Sequence, residues 1–216
     1  MDESGFLGSF KRALILCPHT DDEFGCAGTI IRLLRSGVDV HYAALSRCEE
    51  SVPAGYPVDA LEHECRACMN RLGVAPEQVQ VFDQRVRHFP ANRQEILELL
   101  VRLRREIEPD LVLLPASFDM HQDHSTVYNE GFRAFKHATI LGYELPQNLI
   151  SFVSSAFIAL TDSDMQRKVD ALQQYHSQEF RPYAAAEFIR SLALVRGVQC
   201  NNNYAEAFEL IRLVVP

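Results

Sequence analysis

Two short apolar runs constrain this chain more than anything else in it: Ala13-Leu14-Ile15-Leu16-Cys17 and Leu111-Val112-Leu113-Leu114-Pro115. Each is apolar throughout and reads as a buried strand. The first leads into Pro18-His19-Thr20-Asp21-Asp22-Glu23, and the second is soon followed by His121-Gln122-Asp123-His124. Around these runs, strand-like and helix-period segments alternate. A helix is expected over Gly25–Arg35, with Gly37 placed to end it, and a strand over Val38–Leu45. A Pro/Gly loop at Val52–Pro57 precedes a helix over Asp59–Leu72 that stops at Gly73, and a short strand over Val79–Phe82. Asn92–Glu108 is strongly periodic, with Ile96, Leu99, Leu100, Leu103 and Ile107 on one face and Pro109 just beyond. Helices near Ser125–His137, over Asp164–Tyr175 and over Ala184–Ala193, and a strand over Ile150–Leu160, complete the reading.

Alternating strands and helices imply a parallel sheet covered on both faces and joined by right-handed crossovers. In a doubly wound sheet of order 3-2-1-4-5, strands one and four are neighbours at the switch point, and ligands bind beyond their carboxyl ends. His19 leaves strand one and His121 leaves strand four, so two His/Asp clusters far apart in sequence are expected to meet. Alone, the acids of the first cluster would serve as charges at the positive end of a helix, and the second cluster would read as a helix start. Together at adjacent strand ends they read as a site.

With 216 residues, 47% of them hydrophobic, the chain can bury one sizeable core, and a single domain over 1–216 is expected. The formal charge of −8 disfavours nucleic-acid binding. Met1–Phe10 carries two acids and no long apolar stretch, so neither a signal peptide nor a membrane span is expected there, and no later segment reaches spanning length. Six cysteines lie at 17, 26, 48, 65, 68 and 200. Cys65-x-x-Cys68 falls inside an expected helix with no second pair, so free thiols in a reducing cytoplasm are the simpler reading.

The two clusters supply imidazoles and carboxylates suited to zinc, and three protein ligands would leave a position for water. Amide hydrolysis at a metal needs ligands, a base and a proton donor. His19, Asp22 and His124 are the natural ligands, and Asp21 is the natural base. His121 would stabilise the oxyanion or act as acid, with Asp123 orienting an imidazole. The rival is a dinucleotide site, since Gly25 and Gly28 follow strand one. However, G-x-G-x-x-G is absent, and three acids stand where a pyrophosphate needs bare amides.

These residues resemble the PIG-L/LmbE-like deacetylases, zinc enzymes that remove N-acetyl groups from glucosamine-type sugars and their conjugates. His19-Thr20-Asp21-Asp22-Glu23 resembles the family's His-Pro-Asp-Asp-Glu motif, and His121-Gln122-Asp123-His124 matches its His-x-Asp-His motif. The resemblance implies zinc on His19, Asp22 and His124, Asp21 as base, and His121 as acid or electrostatic stabiliser. Glu64 with Leu72-Gly73, Ala171-Leu172 with His176-Ser177-Gln178, and Tyr204-Ala205-Glu206-Ala207-Phe208 extend it along the chain. Thr20 replaces the motif's proline. Leu61 and Glu62 occupy positions where many members carry a substrate-holding arginine, which leaves Arg47 or Arg66 as substitutes.

The remaining rim is expected from the loops after strands two and three. Arg85, Arg87 and His88 would hold a phosphate or nucleotide diphosphate, or else form a solvated edge. His176 would reach the site from a helix end. The reading is an α/β, Rossmann-like three-layer sandwich with a mostly parallel sheet, and one Zn2+ per chain, with Fe2+ or Co2+ as substitutes. It would act on a small-molecule amino sugar or sugar conjugate, nucleotide-linked or not, and homo-oligomerisation stays open. Two other readings keep the site: a metal-dependent amidase on a non-sugar or thiol-conjugate amide, and a sugar-binding protein without turnover.

Overall fold

The computed structural model describes residues 5–215. Within them the chain runs β1 (Arg12–Cys17), α1 (Ala27–Arg35), β2 (Asp39–Ala44), α2 (Ala60–Leu72), β3 (Val79–Val81), α3 (Arg93–Ile107), β4 (Leu111–Pro115), α4 (Gln122–Ala134), β5 (Thr139–Tyr143), β6 (Ala156–Leu160), α5 (Asp162–Leu172), α6 (Ala186–Gln199) and β7 (Tyr204–Arg212). The strands form one sheet of order β3-β2-β1-β4-β5-β7-β6. The first five strands pair in parallel, and β7 lies antiparallel between β5 and β6. The α/β three-layer architecture expected from the alternation is the one observed.

The two-residue period of β1 divides the core. Ala13, Ile15 and Cys17 pack into an apolar layer with residues of α1, α2 and α5, while Leu14 and Leu16 join residues of α3 and α4 on the other face. Leu14, Ile15 and Leu16 are fully buried, and each such side chain contributes roughly 1.5–3 kcal/mol relative to exposure. β1 and β4 are locked side by side from below. The Asp110 carboxylate accepts the backbone N–H groups of Lys11 at 2.8 Å and Arg12 at 3.0 Å, and Ala13 then aligns with Leu111. That register delivers both His/Asp clusters to the same edge of the sheet.

The structure corrects several boundaries. The strand expected over Ile150–Leu160 is only Ala156–Leu160, and it lies at the far edge of the sheet, separated from β5 by β7. The place beside β4 belongs to Thr139–Tyr143, whose Gly142 weakens the strand signal. A Cβ at Gly142 would sit 2.9 Å from the Ala116 Cα, so close backbone approach requires glycine there. β7 was likewise outside the expected set. α4 begins earlier than Ser125, because His121 itself caps it, and ends at Ala134, short of His137. α5 starts at Asp162 under a Thr161–Asp164 capping box and stops at Leu172, and α6 continues past Ala193 to Gln199.

Residues 1–4 of the Met1–Phe10 segment, and residue 216, lie outside the described residues. No described helix is long and apolar enough to cross a membrane. All six cysteines are free.

The start of α1 disposes of the dinucleotide reading. The amides of Gly28 and Thr29 donate to the Glu206 carboxylate at 2.8 and 2.6 Å, so an internal anion occupies the place a phosphate would take. A Cβ on Gly28 would lie 2.5 Å from Leu160 and 3.0 Å from Glu206, so this glycine serves packing.

Candidate metal centre and active site

The carboxyl ends of β1 and β4 open into a cleft of about 450 Å3 whose walls include His19, Asp21, Asp22, His121 and His124. His19 to Asp22 form the turn that leaves β1. His121 takes an extended backbone as the N-cap of α4, and its Nδ1 accepts the Asp123 N–H at 3.2 Å. The first turn of α4 then carries Asp123 and His124 inward, where both are buried.

The innermost atoms converge. His19 Nδ1 and His124 Nε2 lie 3.0 Å apart. The Asp22 carboxylate reaches both, with Oδ2 3.5 Å from His19 Nδ1 and Oδ1 3.3 Å from His124 Nε2. On the outer side, His19 Nε2 meets Asp123 Oδ2 at 3.1 Å, and His124 Nδ1 meets Asp119 Oδ2 at 2.8 Å. An ionised carboxylate only accepts, so the hydrogen-bond network assigns the ring protons to those outer nitrogens. The inner nitrogens are then both lone pairs, facing each other and the Asp22 carboxyl.

This donor set fits a cation. A tetrahedral zinc with bonds of about 2.0–2.1 Å holds its ligand atoms about 3.3–3.4 Å apart, close to the three spacings observed. His19, His121 and His124 also form a group, with one nitrogen from each within 4.8 Å of the others. Of the two candidate third ligands, the Asp22 carboxylate stands 3.3–3.5 Å from both inner nitrogens, and His121 has committed Nδ1 to its helix cap.

Burial and crowded charge set the electrostatics of these groups. Burial, then the negative charge of Asp21, push the Asp22 carboxyl well above the usual carboxylate range. Burial lowers the His19 imidazole against its bond to Asp123, and burial and the charge of His19 lower His121. Neutral imidazoles are the ligating form. Burial would raise Asp123, but bonds from His19 and from the amides of Arg87 and Phe89 hold it below the ordinary value. Asp123 is thus an ionised carboxylate that fixes the ring of His19.

Asp21 stands outside this cluster, half-buried on the cleft wall, and its Oδ2 accepts the Tyr183 hydroxyl at 3.3 Å. Burial and the charge of Asp21 push the Tyr183 phenol upward, so it remains a donor. Glu23, the last acid of the motif, turns into the core. It accepts the hydroxyls of Tyr42 at 2.9 Å and Tyr175 at 2.5 Å, and burial pushes it up to about 7 against both bonds. Thr20 is fully buried, and its hydroxyl has no partner among the described residues.

The expected substrate rim is corrected. Of Arg47, Arg85, Arg87, His88 and His176, only Arg87 lines the cleft. Arg85 points to Glu50 at 2.6 Å and Arg47 to Glu62 at 3.3 Å, in an adjoining depression. Arg66 also pairs with Glu62, at 2.9 Å, so neither substitute for the missing family arginine faces the metal cluster. His88 is exposed outside the cleft, and His176 pairs with exposed Glu179 at 3.0 Å. Arg87 is held with φ of 69°, a left-handed backbone that a non-glycine residue adopts at a cost of roughly 1–2 kcal/mol. Its N–H donates to Asp123 at 2.5 Å, which ties the strained residue to the carboxylate that orients His19.

Sequence reasoning missed Asp119, Asn148, Arg181 and Tyr183, and of the segment His176-Ser177-Gln178 expected at the rim it is Gln178 that lines the cleft. Asp119 binds the His124 ring and also accepts the His121 N–H at 2.9 Å. Asn148, Gln178, Arg181 and Tyr183 line the cleft from loops after β5 and α5. Asp119 alone had a local signal, standing just before the His-x-x-His spacing.

Comparison with known proteins places the site in a lineage. The profile of the GlcNAc-PI de-N-acetylase (PIG-L) family matches residues 14–135, which is more than half of the chain and contains both His/Asp clusters. The diacetylchitobiose deacetylase of Thermococcus kodakarensis is 26% identical over 232 residues, covering 93% of this chain and 83% of that protein. Among solved structures, the N,N'-diacetylchitobiose deacetylase of Pyrococcus horikoshii superposes with a TM-score of 0.75 at 21% identity, covering 93% of this chain and 83% of that one. The 4-carboxy-2-hydroxymuconate hydratase GalB of Pseudomonas putida KT2440 superposes with a TM-score of 0.76 at 22% identity, covering 95% and 98%. One fold therefore carries two kinds of reaction, and the chemistry must be argued from the site.

Proposed function

The chain belongs to the GlcNAc-PI de-N-acetylase (PIG-L) family, and from that premise we propose that it is a metal-dependent N-deacetylase acting on an amino sugar or sugar conjugate. The observation that carries this reading is the meeting of His19 Nδ1, His124 Nε2 and the Asp22 carboxylate at 3.0–3.5 Å, with Asp21 on the cleft wall outside that set. His19, Asp22 and His124 would hold one zinc, or Fe2+ or Co2+ in its place. When bound, the ion supplies a Lewis acid that lowers the pKa of water and polarises the acyl carbonyl.

The chain's own residues supply the proton transfers. Asp21 takes a proton from the water as its oxygen bonds to the acyl carbon, and returns it to the nitrogen as the C–N bond breaks. Acetate and a free amine result. His121 keeps Nδ1 as an acceptor toward the Asp123 N–H, which leaves Nε2–H to donate to the developing oxyanion. This geometry favours His121 as a stabiliser over His121 as the acid. Tyr183 steadies the Asp21 carboxylate by its hydrogen bond, and Asp119 and Asp123 fix the two ligand rings. The free thiols suit a reducing compartment such as the cytoplasm.

The test is product analysis with zinc-loaded protein on N-acetylglucosamine, a glycoside of it and a nucleotide-linked form. Equimolar acetate and free amine from any of them is the expected result. Cleavage of non-sugar amides alone would transfer the site to the amidase reading, and no cleavage of any amide would refute hydrolysis.

A further inference from the structure

Acid dominates the floor of the cleft: Asp21, Asp22, Asp119 and Asp123 all lie at or beneath the metal cluster. The chain as a whole carries a formal charge of −8. Against that background the arginines near the cleft divide into two groups. Arg47, Arg66 and Arg85 are each neutralised by a glutamate. Arg87 and Arg181 line the cleft itself, and neither forms an ion pair among the described residues. One Arg87 Nη donates to the Ser51 hydroxyl at 3.2 Å, and the Arg181 guanidinium lies 4.7 Å from the centre of the Phe180 ring. Both contacts orient a guanidinium without cancelling its charge.

Both residues are also anchored to the catalytic side of the cleft. Arg87 is fixed through its amide to Asp123. The Arg181 amide donates to the carbonyl of buried Gln178 at 2.9 Å, and two residues later Tyr183 reaches Asp21. Gln178 is itself set by a chain of bonds. Its Nε2 donates to the Ser177 hydroxyl at 3.1 Å, and that hydroxyl donates to Glu64 of α2 at 2.6 Å. Two guanidiniums without ion-pair partners among the described residues are therefore held on the wall of one cleft, Arg87 by its backbone bond to Asp123 and Arg181 by its backbone bond to Gln178, two residues before Tyr183.

Resting on the deacetylase reading, we propose that the substrate bears an anionic oxygen group, phosphate or carboxylate, outside its N-acyl amide, and that Arg87 and Arg181 bind it. Guanidinium matches the planar oxygen pairs of both groups. The two arginines decide specificity by binding, and the N-acyl chemistry stays with the metal cluster and Asp21. Leu61, which lines the same cleft, leaves its own wall apolar and confines anion recognition to the Arg87 and Arg181 walls.

The experiment compares kcat/KM of the zinc-loaded protein for methyl N-acetylglucosaminide, N-acetylglucosamine 1-phosphate and N-acetylmuramic acid. One or both charged sugars should exceed the neutral one by about 10- to 100-fold, expressed in KM, and whichever is preferred separates phosphate from carboxylate. Arg87→Met and Arg181→Met should each reduce that preference about tenfold, whereas Arg85→Met, outside the cleft, should leave it intact. Arg181→Met lies on an exposed turn and tests the inference even if Arg87→Met folds poorly. Equal turnover of charged and neutral sugars, or a preference that survives both substitutions, overturns the anion site and leaves the deacetylase standing. If no sugar is hydrolysed, calorimetric titration with N-acetylglucosamine 1-phosphate decides separately. Binding that depends on Arg87 and Arg181 upholds the anion site while hydrolysis falls, and no binding overturns the anion site.

Discussion

Around Glu206 and around His19 the chain buries charge in two different ways. Glu206 accepts four hydrogen bonds, from Lys168 Nζ, the amides of Gly28 and Thr29, and the Thr29 hydroxyl, all at 2.6–2.8 Å. Its charge is matched by Lys168, and the start of α1 is sealed against β7 and α5. At His19 the bonds point outward instead, to Asp123 and Asp119, and the inward atoms of His19, His124 and Asp22 are all electron pairs. A closed cluster with every group paired holds a scaffold together. A cluster whose outer bonds are satisfied and whose inner ones converge is built for a ligand.

The comparison can be broken from either side. The largest effect belongs to the open cluster: Asp21→Asn should lower kcat for acetate release by about a hundred- to ten-thousand-fold while metal analysis still finds one ion per chain. Substantial activity in that variant would remove Asp21 as the base. In the closed cluster, Glu206→Ala strands Lys168 in the core and should cost about 3–5 kcal/mol in urea unfolding, with zinc per folded chain unchanged. A variant that lost zinc but kept its stability would erase the distinction between the two clusters.

Asp119→Ala sharpens the contrast at an intermediate scale. It frees the His124 ring without touching an inner atom, and should weaken zinc binding about 10- to 100-fold in a competitive chelator titration. Unchanged affinity would mean the ring is oriented by packing alone.

The smallest effect concerns the scaffold and pH. Burial would raise the Asp164 carboxyl, but the Thr161 amide, the Arg35 guanidinium and the Thr161 hydroxyl outweigh it and hold the group below its ordinary value. A carboxyl lowered by folding adds stability above its unfolded value of about 3.9 and loses it as pH falls through the folded one. Asp164→Asn should therefore cost about 1 kcal/mol at neutral pH, a gap that closes in acid as the wild type loses its advantage. A gap constant down to pH 2 would show that Asp164 acts by shape and not by charge.

What could be read beforehand follows the same division. Leu111–Pro115 and Ala13–Cys17 announce themselves as buried strands because neither face meets water, and their neighbouring placement follows from topology. Thr139–Tyr143 does not, because Gly142 serves a backbone contact that leaves no trace in a hydrophobic pattern. The residues that converge at the centre were legible because both clusters sit directly after recognisable strands. Tyr183 and Arg181 were not, since their loop reaches the cleft only through tertiary packing. Arg85 and Arg87 look equivalent in sequence, and the left-handed backbone at Arg87 sends only one of them to the cleft.

The central claim is that one cation on His19, Asp22 and His124 is required for cleavage of an N-acetyl amide. The most direct measurement strips the protein with chelator, returns zinc in increments, and follows acetate release from an N-acetylglucosamine substrate. Activity should be absent in the stripped protein and should rise to a plateau at one equivalent per chain. Full activity in stripped, metal-free protein would contradict the account.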